Sequence, residues 1–276
     1  MSGRVCIVTG ANTGIGEITA RELARAGAHV FLACRSKERA VPVLERITRE
    51  TKNEQVELLK LDLASLRSVR DAARTFLARD LPLHVLVNNA GLAGPRGVSD
   101  DGFEIAFGVN HLGHFAFTRL LEQRLRESAP SRIVNVSSGS HYQTKGSIDW
   151  EKLQQPTASL TGLPEYAVSK LANVLFAAEH ARRLPSGVTT YSLNPGMVAT
   201  DVWREVPLPV RAVMKLFMLS NEQGARTTLH CATSPELASE TGLYYDKCKP
   251  RRPSRLAQDS DLAAELWRRS EAWTGK

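Results

Sequence analysis

Tyr166 and Lys170 stand four residues apart in Tyr166-Ala-Val-Ser-Lys170, a spacing that sets a phenol and an ammonium on one face of a helix. An ammonium beside a phenol favours the phenolate and lowers the phenol's pKa. A phenol tuned in that way exchanges a proton with an alcohol oxygen near neutral pH. Alone the pair is common, and two surface residues on a helix explain it equally well. Its weight comes from what precedes it: Gly10-Ala-Asn12-Thr13-Gly14-Ile15-Gly16, a glycine run of the kind that lets a backbone approach a phosphate.

The elements around that run supply its context. Residues 5–9 are a short β-branched apolar run that reads as a buried parallel strand. The glycines follow, then a helical pattern through Ala26 with Ile18, Leu23 and Ala24 on one side, ended by Gly27. Residues 29–33 read as the next strand. Strand, glycine loop, helix and strand in that order make a nucleotide site, although a plain tight turn also uses glycines. The end of the second strand bears on which nucleotide. An acid there commonly holds the ribose 2′-hydroxyl of NAD. Here Cys34 takes that place and Arg35 follows, with Lys37 and Arg39 adding positive charge. A guanidinium fork suits a 2′-phosphate, so NADP(H) is expected, against the reading of Arg35 as an ordinary surface residue.

The same rhythm continues. A strand over 56–61 ends in Asp62-Leu63, and a helix over 65–79 turns Leu66, Val69, Ala73 and Phe76 inward. A strand over 83–87 ends in Asn88-Asn89-Ala90-Gly91, where small residues leave room for a ligand at a strand's carboxyl end. Asn88 and Asn89 also serve as turn formers that bond backbone groups. A long helical stretch over 103–126 holds Asn110, a poor helix-interior residue that calls for a local reason such as a kink or a held water. A strand over 132–136 ends in Ser137-Ser138. After a long loop, the helix with Tyr166 and Lys170 runs through Leu184, with Leu171, Val174, Leu175 and Ala178 inward. A strand over 188–193 ends in Asn194-Pro195-Gly196, with Val198 and Thr200 just beyond. The expected fold is α/β: a Rossmann-type doubly wound parallel sheet, a single domain over 1–276, with residues 202–220 as a small substrate lid within it.

These pieces resemble the short-chain dehydrogenases/reductases. Thr9 to Gly16, Asn88-Asn89-Ala90-Gly91, Asn110, Val136-Ser137-Ser138, Tyr166-x3-Lys170 and Pro195-Gly196 with Thr200 occur in that family's order and span nearly the whole chain. Ala33-Cys34-Arg35, the stretch 109–115, Ser169 to Asn173 and the stretch 242–248 are similar to retinol dehydrogenases and their relatives, as is the long spacing from Ser138 to Tyr166. The resemblance implies a relay. Tyr166 is its general acid and base, and Lys170 lowers the phenol's pKa and binds the nicotinamide ribose. Ser138 bonds the substrate oxygen, with Ser137 as the neighbouring alternative, and Asn110 holds a water leading from Lys170 to solvent. It implies that NADP(H) is held by Gly10, Asn12, Thr13, Gly14, Ile15, Gly16, Arg35, Lys37, Asp62, Leu63, Asn89, Ala90, Gly91, Tyr166, Lys170, Pro195, Gly196, Val198 and Thr200. It also implies a homodimer through the helices near 103–126 and 165–184.

Composition narrows the alternatives. The chain has 276 residues, 42% hydrophobic and 24% charged, and a formal net charge of +7, ample for a full core and compatible with an anionic cofactor. The densest basic run, 247–255, reads first as solvated surface, and no nucleic-acid motif accompanies it. The four cysteines fit no zinc spacing or disulfide framework, and no His/Asp/Glu cluster points to a metal. No signal peptide, N-terminal anchor or run of about 18 apolar residues is read, so a cytoplasmic location with peripheral membrane contact at most is expected. Trp203, Val206, Leu208, Leu216, Phe217, Met218 and Leu219 make the lid apolar, which suits an apolar alcohol or carbonyl substrate, though half of them would simply pack on the core. His111, His114 and His141 are read as structural, and Tyr142 and Trp150 as lining a pocket or anchoring the loop. The competing function is a non-catalytic NADP(H)-binding scaffold or redox sensor, which would not require Asn110, Ser138, Tyr166 and Lys170 together.

Overall fold

Strand β1 (Val5–Thr9) is buried at every position, as a run without a polar face must be. It pairs in parallel with β2 (His29–Cys34) on one side and β4 (Val85–Asn88) on the other. The computed structural model, which describes residues 1–198 and 219–275, places it inside one eight-stranded sheet of order β3-β2-β1-β4-β5-β6-β7-β8. Strands β3 (Val56–Lys60), β5 (Ser131–Val136), β6 (Val188–Asn194) and β7 (Tyr244–Asp246) continue the parallel set, and β8 (Lys249–Pro250) closes the edge antiparallel. Chain order reverses between β1 and β4, so a crevice opens at their carboxyl ends, where open α/β sheets take ligands. The doubly wound sheet expected from the sequence is therefore present. Thr200 and the expected lid lie outside the described residues, except for Leu219 and Ser220. Leu219 bonds back to Met197 O at 2.8 Å.

Alternate strand residues face opposite layers. Cys6, Val8, Val30 and Leu32 share a core with α1 (Gly14–Arg25), α2 (Lys37–Thr51) and α7 (Asn221–Thr233). Ile7, Phe31, Leu86 and Ile133 share another with α3 (Leu66–Leu77) and α5 (Gly113–Glu127). Helix α6 (Leu163–Arg183) joins α5 through the rings of Phe115 and Phe176, 5.4 Å apart.

The helical stretch expected over 103–126 is present without a gap from Ile105 to Glu127, and its winding changes at Asn110. A short turn, α4 (Ile105–Phe107), passes into a π-helical turn (Gly108–Leu112) before α5 begins. Asn110 is the middle residue of that π turn. The extra residue in the turn is the local reason its presence demanded. The helix faces expected to meet a second subunit are partly covered by this chain's own α8 (Ser260–Thr274). Trp267, 2% exposed, packs on Phe115 and Phe176, with the guanidiniums of Arg119 and Arg183 over its ring at 5.1 and 4.7 Å. Tyr142 and Trp150 anchor the inserted loop: Tyr142 donates to Arg252 O at 2.6 Å, and Trp150 lies under the Arg269 guanidinium. Among the described residues no helix is long and apolar enough to cross a membrane.

Beside Trp267, Glu122 receives bonds from His180, Arg126 and Arg119. Burial alone would push its carboxyl up, yet the bond from His180, the one from Arg126 and the Arg119 charge together bring it down to about 2, from an ordinary 4.5. A folded pKa below the unfolded one adds stability above the unfolded value and loses it as pH falls through the folded one. Glu122→Gln should therefore be less stable than the parent at pH 7 by urea denaturation, and the difference should shrink between pH 4.5 and 2. A difference that stays constant over that range would exclude an ionised Glu122 as the source.

Candidate active site

The crevice is walled first by the glycine run. Gly10, Asn12, Thr13, Gly14, Ile15 and Gly16 all line it, at the N-terminus of the twelve-residue α1. That end presents unpaired N–H groups and partial positive charge, the natural seat of a phosphate. Closeness explains the last glycine: a Cβ on Gly16 would lie 2.4 Å from both Asn89 Nδ2 and Gly10 O. Asn89 in turn donates to Thr9 O at 2.8 Å, which ties the 88–91 turn to β1. Asn88 is purely structural, buried and bonded to Asn135 and Thr118. Asn89, Ala90 and Gly91 face the crevice.

The far end of the wall holds Cys34, Arg35, Ser36, Arg39, Asp62 and Leu63. No carboxylate ends β2. Arg35 has a side chain 68% exposed, with Nε 4.0 Å from Asp62 Oδ2. Arg39 lines the wall, whereas Lys37, expected there, does not. Burial pushes the Cys34 thiol up to about 11, so it is a neutral wall group. Backbone glycines, a helix N-terminus and a basic rim together fit a dinucleotide.

At the other end Ser138, Tyr166, Lys170, Pro195, Gly196 and Val198 line the same crevice. The Ser138 hydroxyl lies near enough to the Tyr166 phenol to favour its ionised form, and it also bonds Ser140, donating to its Oγ at 3.2 Å and accepting from its N–H at 3.1 Å. Ser137 is distinguished from Ser138 by its partner, since its hydroxyl donates to Lys170 O at 2.7 Å and braces α6. Lys170 is 3% exposed; its ammonium donates to Val136 O at 3.0 Å and lies 5.6 Å from the centre of the Tyr166 ring. Burial pulls Lys170 down to about 8. Burial also pushes the Tyr166 phenol up, against the opposing effect of the Ser138 hydroxyl. The spacing argument expected a lowered phenol; in this pocket the loss of water outweighs the Ser138 hydroxyl and raises it.

Asn110 does not line the crevice but stands behind Gly91. Its Oδ1 accepts from Leu92 N at 2.9 Å, and its Nδ2 donates to Leu92 O at 3.0 Å and Ser169 Oγ at 2.9 Å. The carboxamide thus serves as a brace, and the main-chain carbonyl of Asn110 is engaged as well. That carbonyl already accepts from His114 Nδ1 at 3.0 Å, while His114 Nε2 sits 2.8 Å from Thr9 Oγ1. Burial holds His114 at about 4, so it is neutral, and the network assigns Nδ1–H donating to Asn110 and Thr9 O–H donating to Nε2. The sequence reading of the histidines as structural missed this placement: His114 and His141 each bond the carbonyl of a site residue. Only the short distance in sequence from His114 to Asn110, and from His141 to Ser138, could have signalled it. Among the described residues no three His, Cys, Asp or Glu groups gather as metal ligands.

The family model for short chain dehydrogenases matches residues 4–149. Human retinol dehydrogenase 11 is 46% identical over 271 residues, covering 97% of this chain and 84% of that protein. The WW domain-containing oxidoreductase of Danio rerio is 45% identical over 281 residues, covering 98% of this chain and 68% of that protein. Among solved structures, an uncharacterised Mycobacterium paratuberculosis protein superposes with a TM-score of 0.80 at 34% identity, over 100% of this chain and 94% of its own. The Brucella melitensis 3-ketoacyl-(acyl-carrier-protein) reductase complexed with NADH shares the fold at a TM-score of 0.69 and 23% identity, over 89% of this chain and 96% of its own. The extent of these matches, over a sheet whose crevice has this wall, makes the chain a member of the short-chain dehydrogenase family, in its retinol dehydrogenase-like branch: an oxidoreductase of alcohols and carbonyls that uses a nicotinamide cofactor.

Proposed function

We propose that the protein interconverts apolar alcohols with their aldehydes or ketones, using NADP(H) and Tyr166 as acid and base. The observation that carries this reading is that Ser138 and Tyr166 share the crevice wall, with the buried Lys170 ammonium 5.6 Å from the centre of the Tyr166 ring. In reduction, Tyr166 gives its phenolic proton to the oxygen that becomes the alcohol; in oxidation it takes that proton back. Ser138 donates a hydrogen bond to the same oxygen and stabilises the charge developing there. Lys170 is an ammonium below about pH 8, and that charge favours the phenolate once Tyr166 has released its proton. The cofactor, when bound, supplies or accepts the hydride. Asn110 braces the loop in front of Lys170, and it is our candidate to hold the water that leads from Lys170 to solvent.

Arg35 and Arg39 favour NADP(H). Both line the rim where β2 ends without a carboxylate, and a guanidinium there meets a 2′-phosphate with a charged fork. The relatives' names make retinal the first substrate to try, beside alkanals, aromatic aldehydes and steroids, with NADPH oxidation as the assay. Tight NADPH binding without turnover of any of them would favour a scaffold or sensor instead. Tyr166→Phe should lower kcat by about 10²- to 10⁴-fold; ordinary turnover in that variant would refute the acid/base role. Arg35→Ala should weaken NADPH binding by about tenfold or more, with little change for NADH. Equal losses for both cofactors would defeat the NADP(H) assignment.

A further inference from the structure

Strands β5 and β6 run in register, with Val136 opposite Leu193, so the turns leaving their carboxyl ends start side by side. One turn carries Ser138 and Gly139. The other is Pro195-Gly196, in which Gly196 holds a left-handed φ of +87°. Neither glycine has a side chain to fix its turn, and a strand's end leaves main-chain N–H groups that the ladder does not satisfy. Asn194, the last residue of β6, takes one from each turn. Its Oδ1 accepts from Gly139 N at 3.1 Å and from Gly196 N at 3.1 Å. Its Nδ2 donates to Asp246 Oδ1 on β7 at 3.3 Å. The other oxygen of Asp246 is bonded by Arg251, just past the β7–β8 edge.

A carboxamide is the one short side chain that offers an acceptor with two lone pairs and an N–H donor together. Leucine, serine or aspartate at 194 would each lose part of this set. The side chain stands behind the crevice wall and does not line it. The segment after β8 holds the far side of the serine turn as well. Buried His141 donates from Nδ1 to Ser138 O at 2.7 Å and accepts from Ser254 N at 3.2 Å.

We infer that Asn194 is a positioning residue: it sets the separation between Ser138 and the Pro195-Gly196 turn, and the C-terminal edge of the sheet fixes it through Asp246. The inference rests on the proposed role of Ser138. The two turns flank the place where the substrate oxygen and the nicotinamide would meet, so a shift in either misaligns the reacting atoms without removing a reacting group.

The test is a cycle of variants assayed with NADPH and whichever panel aldehyde the parent turns over fastest. Asn194→Leu removes both acceptor contacts and should lower kcat by about 10- to 100-fold, while changing NADPH affinity by less than about threefold. Asn194→Asp keeps the acceptors but sets two carboxylates against each other, and should also lose kcat. Asn194→Asp with Asp246→Asn restores a donor–acceptor pair in the reverse sense and should recover most of that loss, a rescue that general destabilisation would not produce. Parental kcat in Asn194→Leu, or a double variant no better than Asn194→Asp, overturns the inference. If Asn194→Leu fails to fold, the Asp variants decide alone. Ser138→Ala is assayed alongside: if it keeps full turnover, the reading of Ser138 has failed, whereas an impaired Ser138→Ala with a fully active Asn194→Leu defeats the positioning role only.

Discussion

The Thr9 hydroxyl is the junction on which the site is built. It accepts from the main-chain N–H groups of Asn89 and Ala90, both at 2.9 Å, and passes its own hydrogen to His114. One small buried oxygen therefore joins the end of β1, the turn after β4 and the π turn that carries Asn110. Thr9, His114 and Asn110 are each buried where water cannot substitute for a lost partner, so their part of the arrangement holds only when complete. Gly91 shows how tight the result is: a Cβ there would come 3.3 Å from Asn110 Oδ1 and 3.4 Å from Lys170 Nζ. The crevice wall and the lysine's position are one packed unit.

Dryness then sets the electrostatics. Tyr166 and Lys170 are both buried, and for each the loss of water disfavours the charged form. The phenol holds its proton more firmly than it would in water, and the ammonium less firmly. The order of the two is thereby reversed: the phenol lies above its ordinary 10.0, while the ammonium falls from 10.5 to about 8. For the proposed role of Tyr166, little competing water is present to take the proton, which suits transfer to a bound oxygen.

Elements outside the matched stretch 4–149 complete the frame. Helix α8 lays Trp267 over α5 and α6, the helices that position Asn110 and Lys170. His111 of the π turn lies 3.2 Å from Ser270 Oγ on the same helix. The C-terminal edge reaches the serine turn through Asp246 and Ser254. The nucleotide end of the crevice is thus built from the first half of the chain. The end that holds Ser138, Tyr166 and Lys170 is braced by residues that arrive last in sequence.

Much was legible from residues alone. The strand ends, the glycine run and the Tyr166–Lys170 spacing are local patterns with local physical meanings, so the doubly wound sheet and the crevice followed from them. The wall contains the expected cofactor residues apart from Lys37, which does not line it, and Thr200, which lies outside the described residues. Other features depended on contacts between distant segments. The π turn at Asn110, the bond from Ser137 to Lys170 O, the raised phenol of Tyr166 and the cover of α8 over α5 and α6 each depend on what a group touches across the fold. Residue type and spacing determine which groups can do chemistry. Burial and hydrogen-bond partners, which exist only once the chain has folded, decide which of them are free to do it and in which protonation state.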